Sequence, residues 1–326
     1  MKKQIKKQII YILLLFAGFT SCVDRTEFTQ EEVTMHEEDV ALTPAQNDSL
    51  YLIHEANMPG TKDDNVRSSS AVLPRYDHVF MVWFENQSFS NIYQRSAAPF
   101  LNSDIIQKGT TFTNFLARTN DYSQPNYVAF FAGTGCGIAD NNCRTPRSLS
   151  QRNIYTQLNQ VGKTFAIYSE DLPSEGYSGC KINYYRLRHN TVPYFNNVPT
   201  SANKMWSQLP TNLASAPTFS WLVGNLKNDM HDTNVSYGDN WAKNNLKRII
   251  DYCKVPANNS LFILAFDEGS GSDRRICVAF VGNGVRINHT VNTSYGPYNL
   301  NSTLLHMYGA TVVNSAVGYA DMAGWY

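Results

Sequence analysis

From Asp77 onward, short apolar runs alternate with longer stretches of helical periodicity. Residues 77–84 (DHVFMVWF) form a β-branched and aromatic run of the kind that predicts a buried strand. The same reading predicts strands over 163–168, 217–223, 261–266 and 276–281. Helices are predicted over 99–108, from Gln124 and Pro125 through NYVAFFAG, and over 153–161, 239–253 and 299–308. In 239–253, Trp241, Leu246, Ile249 and Ile250 fall on one face, as a helical period of about 3.6 residues requires. Strands separated by helical stretches predict an α/β fold, a largely parallel sheet sandwiched by helices. The stretch 174–212, rich in Tyr, Asn and Pro, is too long for a simple connection and is expected to overhang a site.

The pattern before residue 75 is different. Lys2, Lys3, Lys6 and Lys7 precede an apolar run from Ile9 to Phe19, which ends in GFTSC. This is the layout of an export signal, and the run is short for a bilayer span. Residues 1–21 are therefore expected to be a lipoprotein-type signal peptide, with Cys22 lipidated and anchoring the protein to a membrane. Phe19, three residues before Cys22, leaves ordinary signal cleavage open. Residues 22–74 read as an acidic flexible tether, with a short helix at 49–56, and 75–326 as the working domain.

Charge follows the same division. The 326-residue chain has no formal net charge, but residues 1–23 carry +4, 24–64 carry −9 and 65–326 carry +5. The domain is mildly cationic, which favours an anionic substrate and falls far short of a nucleic-acid footprint. Export permits disulfides. Cys136 and Cys143 stand seven apart in a Gly/Asn-rich loop and are the expected pair. Cys253 with Cys277 is a weaker pairing, and Cys180 is expected to be free.

Chemistry enters at the strand ends. Glu85 and Asn86 follow the first strand, Glu170 and Asp171 the second. Asp229, His231 and Asp232 follow the run 217–223, and Asp267 and Glu268 follow 261–266. In open α/β sheets, ligands bind beyond the carboxyl ends of the strands. Glu85, Asn86, Asp267 and Glu268 placed there can share one hard cation, and an all-oxygen set suits Mg²⁺, Ca²⁺ or Mn²⁺. Ser123 stands at the start of a helix, two residues before Pro125, where backbone N–H groups hold anions. A cation on its Oγ would activate it, and Asn126 could donate to a phosphate oxygen. GTGCG at 133–137 lacks the Lys-Ser/Thr of a phosphate loop.

The segments MVWFENQSF, SQPNYVAFFAG, YRLRHN, NDMHD and FDEG occur in the order found in the bacterial and fungal acid phosphatase and phospholipase C family. Over 77–309 the chain resembles that family, which belongs to the alkaline-phosphatase-like superfamily. The resemblance implies an alkaline-phosphatase-like fold and a metal-dependent phosphoesterase acting on a small phosphate-ester substrate. It implies Ser123 as the nucleophile, also touching the cation, with Glu85, Asn86, Asp267 and Glu268 as metal ligands. Asn126 is implied as the phosphate-orienting amide, and His231 and His189 as histidines beside the transferring group. The chain reads HNTVP where the family has His-Asn-Pro, and Ser90 where it often has Asp. Phosphomonoester hydrolysis through a phosphoserine is the expected reaction, with phosphodiester or phospholipase C activity as the alternative. A non-catalytic surface-binding lipoprotein would have lost the nucleophile or the ligands, and this chain keeps them.

Overall fold

The structure is a computed structural model, and it describes residues 42–62 and 72–326. The expected signal peptide, Cys22 and most of the expected tether lie outside the described residues. An eight-stranded sheet forms the centre of the described chain. Its strands are β1 (His78–Phe84), β2 (Thr110–Leu116), β3 (Phe165–Ser169), β6 (Asn203–Met205), β7 (Phe219–Val223), β8 (Ser260–Phe266), β9 (Arg275–Gly282) and β10 (His289–Val291). They lie in the order β10-β2-β9-β8-β1-β7-β3-β6. Only β9 runs against its neighbours β8 and β2, and the other pairs are parallel. A two-stranded ribbon, β4 (Lys181–Ile182) with β5 (Tyr185–Arg186), stands apart inside the expected overhang.

The helices are α1 (Pro44–Ala56), the single turn α2 (Phe89–Ile92), α3 (Ser123–Ala132), α4 (Ile154–Gln160), α5 (Val235–Lys254) and α6 (Pro297–His306). Side chains alternate across a strand, so β1 feeds both faces of the sheet. Trp83 meets Phe130 of α3 at 5.2 Å between ring centres, and Trp221 of β7 meets the same ring at 5.1 Å. One residue on, Phe84 packs edge-on against Trp241 of α5 at 5.8 Å. β1, β7 and β8 are therefore apolar almost throughout, the mark of strands covered on both sides. α6 covers α3 and α4.

Three local expectations change. The helix expected over 99–108 is a π-helical turn at Leu101–Ile105 followed by a 3-10 turn to Lys108. The carboxylate of Asp239 on α5 accepts from the N–H groups of Phe100 and Leu101, at 3.1 and 2.8 Å, and fixes where that segment starts. β2 was not anticipated, because its sequence TTFTNFL carries a bulge between Phe112 and Phe115 that breaks the two-residue alternation. Part of the expected tether is a docked helix. α1 opens on a Thr43–Gln46 capping box with Pro44 behind it, and it buries Asn47 and His54. Its Glu55 Oε1 accepts from Arg118 Nη2 at 3.1 Å, Gly135 N at 2.9 Å and Tyr298 OH at 2.9 Å. Docking by polar groups leaves little trace in hydropathy, so a reading for apolar content passes over it.

The disulfide is also corrected. It joins Cys143 to Cys180, and the expected Cys136–Cys143 and Cys253–Cys277 pairs are not formed. Cys253 and Cys277 are buried thiols within the apolar core, from α5 and β9. Cys180 lies far from Cys143 in sequence, but it sits at the foot of the β4–β5 ribbon, which folds back over the loop after α3.

Candidate active site

The carboxyl ends of β8, β1 and β7 are adjacent in the sheet, and main-chain bonds tie the turns beyond them together. Glu85 N donates to Asp229 O at 2.8 Å, and Asp267 N donates to Phe84 O at 3.0 Å. Asn86 adopts φ of 54°, a left-handed turn that asparagine tolerates. That turn aims its N–H at Asp267 Oδ1, 3.1 Å away. Three distant stretches of sequence thus deliver Glu85, Asp229, Asp267 and Glu268 to one place, all of them buried.

α3 points its N-terminus at this cluster. Ser123 is its first residue and fully buried, and Gly133 ends the helix in the left-handed region. Ser123 Oγ lies 3.0 Å from Glu85 Oε2 and 3.3 Å from Glu268 Oε1. Asn126, one turn on, donates from Nδ2 to Glu268 Oε2 at 3.3 Å and to Thr119 O at 3.0 Å. Tyr127 donates its hydroxyl to Glu85 Oε1 and stacks on the ring of His189 at 5.5 Å.

The histidines come from two other segments. His189 follows β5, and its Nε2 lies 3.4 Å from Glu85 Oε2 while its Nδ1 lies 3.4 Å from Asp229 Oδ2. His231 follows β7, and its ring centre is 5.7 Å from that of His189. Arg188 spans the two, with Nε donating to His189 Nε2 at 3.3 Å and Nη2 to His231 Nε2 at 3.1 Å. A guanidinium only donates, so both Nε2 atoms are acceptors and the ring protons sit on Nδ1. For His231 that proton goes to Asp232 Oδ1, 2.7 Å away.

Burial sets the electrostatics. It lifts Glu85 well above the ordinary carboxylate range, and Asp267 and Asp229 beside it add to the rise. Burial likewise lifts Asp229, against the opposing pull of His231. The His189 imidazole is pushed well below its usual value by burial and by the Arg188 charge. Its contacts with Glu85 and Asp229 are therefore those of a neutral ring rather than ion pairs. A buried carboxylate cluster with too little positive charge is a site built for a hard cation. Two observations fit that reading. Ligand atoms of Glu85, His189 and Asp229 lie within 4.8 Å of one another. Asp229 Oδ2 makes no hydrogen bond among the described residues.

Each residue given a role from sequence reaches this locus: Glu85, Asn86, Ser123, Asn126, His189, His231, Asp267 and Glu268. Asp229, noted at its strand end without a role, joins them, as do Arg188 and Tyr127, which were not singled out. Asp229 lay inside the noted NDMHD motif and Arg188 inside YRLRHN. Tyr127 gave no signal, because a tyrosine in an apolar helix reads as core. Glu170 belongs elsewhere. Its carboxylate accepts from Asn225 N, Asn228 Nδ2 and Trp241 Nε1, and so buttresses the turn after β7.

Known proteins resemble this chain in sequence and in fold. A phosphatidylinositol-3-phosphatase of Mycobacterium tuberculosis is 35% identical over 258 residues, covering 78% of this chain and 83% of the relative. A phosphate-repressible acid phosphatase of Penicillium chrysogenum is 27% identical over 270 residues, 79% of this chain and 60% of the fungal protein. The structure of an alkaline phosphatase superfamily protein from Vibrio parahaemolyticus aligns with a TM-score of 0.52. At 12% identity it covers 85% of this chain and 78% of its own, and it speaks to the fold alone. Residues 24–287 match the phosphoesterase family, so the chain belongs to that family and is a hydrolase of phosphate ester bonds on an alkaline-phosphatase-like α/β fold.

Proposed function

We propose that the protein is an exported, metal-dependent phosphomonoesterase that works through a phosphoserine on Ser123. The observation that carries this reading is the placing of Ser123 Oγ. It is buried at the positive end of α3 and lies within 3.3 Å of carboxylates from two strand ends. Glu85, Asp229, Asp267 and Glu268, with Ser123 Oγ and the Asn86 amide, would hold one divalent cation. That cation supplies charge balance for the phosphoryl oxygens and makes the serine hydroxyl easier to ionise. Ser123 Oγ attacks phosphorus, and its proton passes to Glu85 Oε2, which lies 3.0 Å away. The bond from phosphorus to the leaving oxygen breaks, and His231, which takes up a proton at Nε2 once the bound phosphoryl group draws Arg188 away, delivers it to that oxygen while Asp232 holds Nδ1. His189, neutral at working pH, stays on the phosphate side as a contact. Water then attacks the phosphoserine and gives a proton to His231 Nε2, the bond from phosphorus to Ser123 Oγ breaks, Glu85 returns its proton to that oxygen, and phosphate leaves. Asn126 and the first N–H groups of α3 hold the equatorial oxygens in both steps.

Both relatives are named as phosphatases, which favours monoesters over diesters. The purified protein should turn over p-nitrophenyl phosphate, lose that activity in chelator and regain it with Mg²⁺, Ca²⁺ or Mn²⁺. Turnover of bis(p-nitrophenyl) phosphate alone would overturn the monoesterase reading, and chelator-resistant turnover would overturn the cation. Export and the lipid on Cys22 belong to the same proposal, resting on the lysine-rich start and the GFTSC sequence. Cells expressing Cys22→Ala should release the protein to a soluble fraction. A variant that still partitions with membranes would remove the anchor from the account.

A further inference from the structure

Arg188 is buried, and its partners include the Nε2 atoms of two imidazoles, those of His189 and His231. His189 Nε2, to which it donates, shares Glu85 Oε2 as a close neighbour with Ser123 Oγ. The guanidinium therefore lies one ring away from the attacking oxygen, on the side facing the histidines. Asn126 meets the same hydroxyl by another route, donating to Glu268, whose other oxygen accepts from Ser123 Oγ. A phosphoryl group on Ser123 Oγ would bring its outer oxygens near these two groups.

We propose that Arg188 contacts the terminal phosphoryl oxygens and selects phosphate monoesters over diesters, a role that rests on the phosphoesterase mechanism above. The chemistry is one of charge and shape. A monoester dianion presents three terminal oxygens, and a guanidinium can grip two of them with parallel N–H groups. A diester has one such oxygen replaced by a second organic group and carries one charge less. Arg188 would gain less from it and would crowd the extra substituent. In the free protein the two His Nε2 lone pairs hold the fork in position, and a bound phosphoryl group exchanges those neutral acceptors for charged ones. The neighbouring His189–Tyr127–Trp221 stack, with Tyr127 in the middle, fixes the ring that orients the fork, at 5.5 Å from His189 and 5.6 Å from Trp221.

The test compares substrates that share a leaving group but differ in charge: p-nitrophenyl phosphate and p-nitrophenyl phenylphosphonate. For Arg188→Met, kcat/KM for the monoester should fall on the order of 100-fold, the loss typical of one donor to a transferring group. The monoanionic phosphonate should change by less than about threefold. Arg188→Lys keeps the charge and loses the fork, so the ratio of the two activities should fall by about tenfold. It also serves if the Met variant does not fold. Binding of inorganic phosphate, followed by calorimetry with magnesium present, should weaken at least about tenfold in either variant. Equal losses on both substrates, or unchanged phosphate binding, would overturn the role and leave Arg188 as a brace for the histidines. A wild type that hydrolyses neither substrate would sink the phosphomonoesterase reading instead, and phosphate binding would still decide the role of Arg188.

Discussion

Ser123 concentrates three features in one side chain: a helix N-terminus, complete burial and two carboxylate neighbours. Removing its hydroxyl deletes the phosphoryl acceptor while the donors around it remain. Ser123→Ala should therefore cost on the order of 10³-fold or more in turnover while phosphate still binds. Acid quenching of the wild type during turnover should leave phosphate on the peptide carrying Ser123. An unlabelled peptide, with Ser123→Ala within tenfold of wild type, would mean that water attacks phosphorus directly. Most of this site was legible residue by residue, because each acid or amide stands immediately after an apolar run and the chain has only one way to present it. Asp229 and Arg188 were harder to see. Their roles depend on which neighbour the fold brings to them, and a single sequence carries no such pairing. The disulfide was misread for the same reason, since seven residues of separation is a weak guide against a ribbon that folds back from far downstream.

At the level of elements, the central strands and the longer helices follow directly from the hydrophobic pattern. α5 begins at Val235, four residues ahead of its predicted start, because Asn234 caps it by accepting from Tyr237 N. The short helix expected at 49–56 forms as part of α1 (Pro44–Ala56), but its docking through polar groups was not read from the sequence. Glu55 accepts from three donors, and one of these, Arg118, has no exposed side-chain surface. Glu55→Ala would leave a buried guanidinium short of its carboxylate, a loss of about 3 kcal/mol. Urea denaturation should show this as a lower midpoint. A midpoint equal to that of the wild type would mean that α1 rests on the surface without holding it together.

Across the whole molecule, the strand-end carboxylates set how stability depends on pH. Glu85 and Asp229 bind protons more tightly folded than unfolded. Without a cation, their contribution is complete below the unfolded values, near 4.5 for Glu85 and 3.8 for Asp229, and is lost as pH rises toward the folded values. The depressed acids Asp121, Asp251 and Asp273 titrate below 3.8 and are silent across this window. His189, held well below its usual 6.5, acts the other way and adds stability as pH rises toward that value, one imidazole against two carboxylates. In chelator, the melting temperature should therefore fall between pH 5 and pH 7.5, and magnesium should narrow the difference. A melting temperature that rises over that interval in chelator would contradict the cluster as described. The Cys143–Cys180 bond acts on the same scale. It closes a separation of 37 residues, worth about 4 kcal/mol by loop entropy, and it pins the ribbon that leads into Arg188 and His189 to the loop beside α3. For an exported chain this makes maturation a matter of timing. On the proposed export, reduced thiols would leave the segment carrying Arg188 and His189 untied in newly made copies, and full activity would await oxidation outside the cytoplasm. Reduced protein should keep its far-ultraviolet dichroism but turn over slowly until reoxidised. Equal rates in both redox states would show that the bond stabilises the chain without governing when it becomes active.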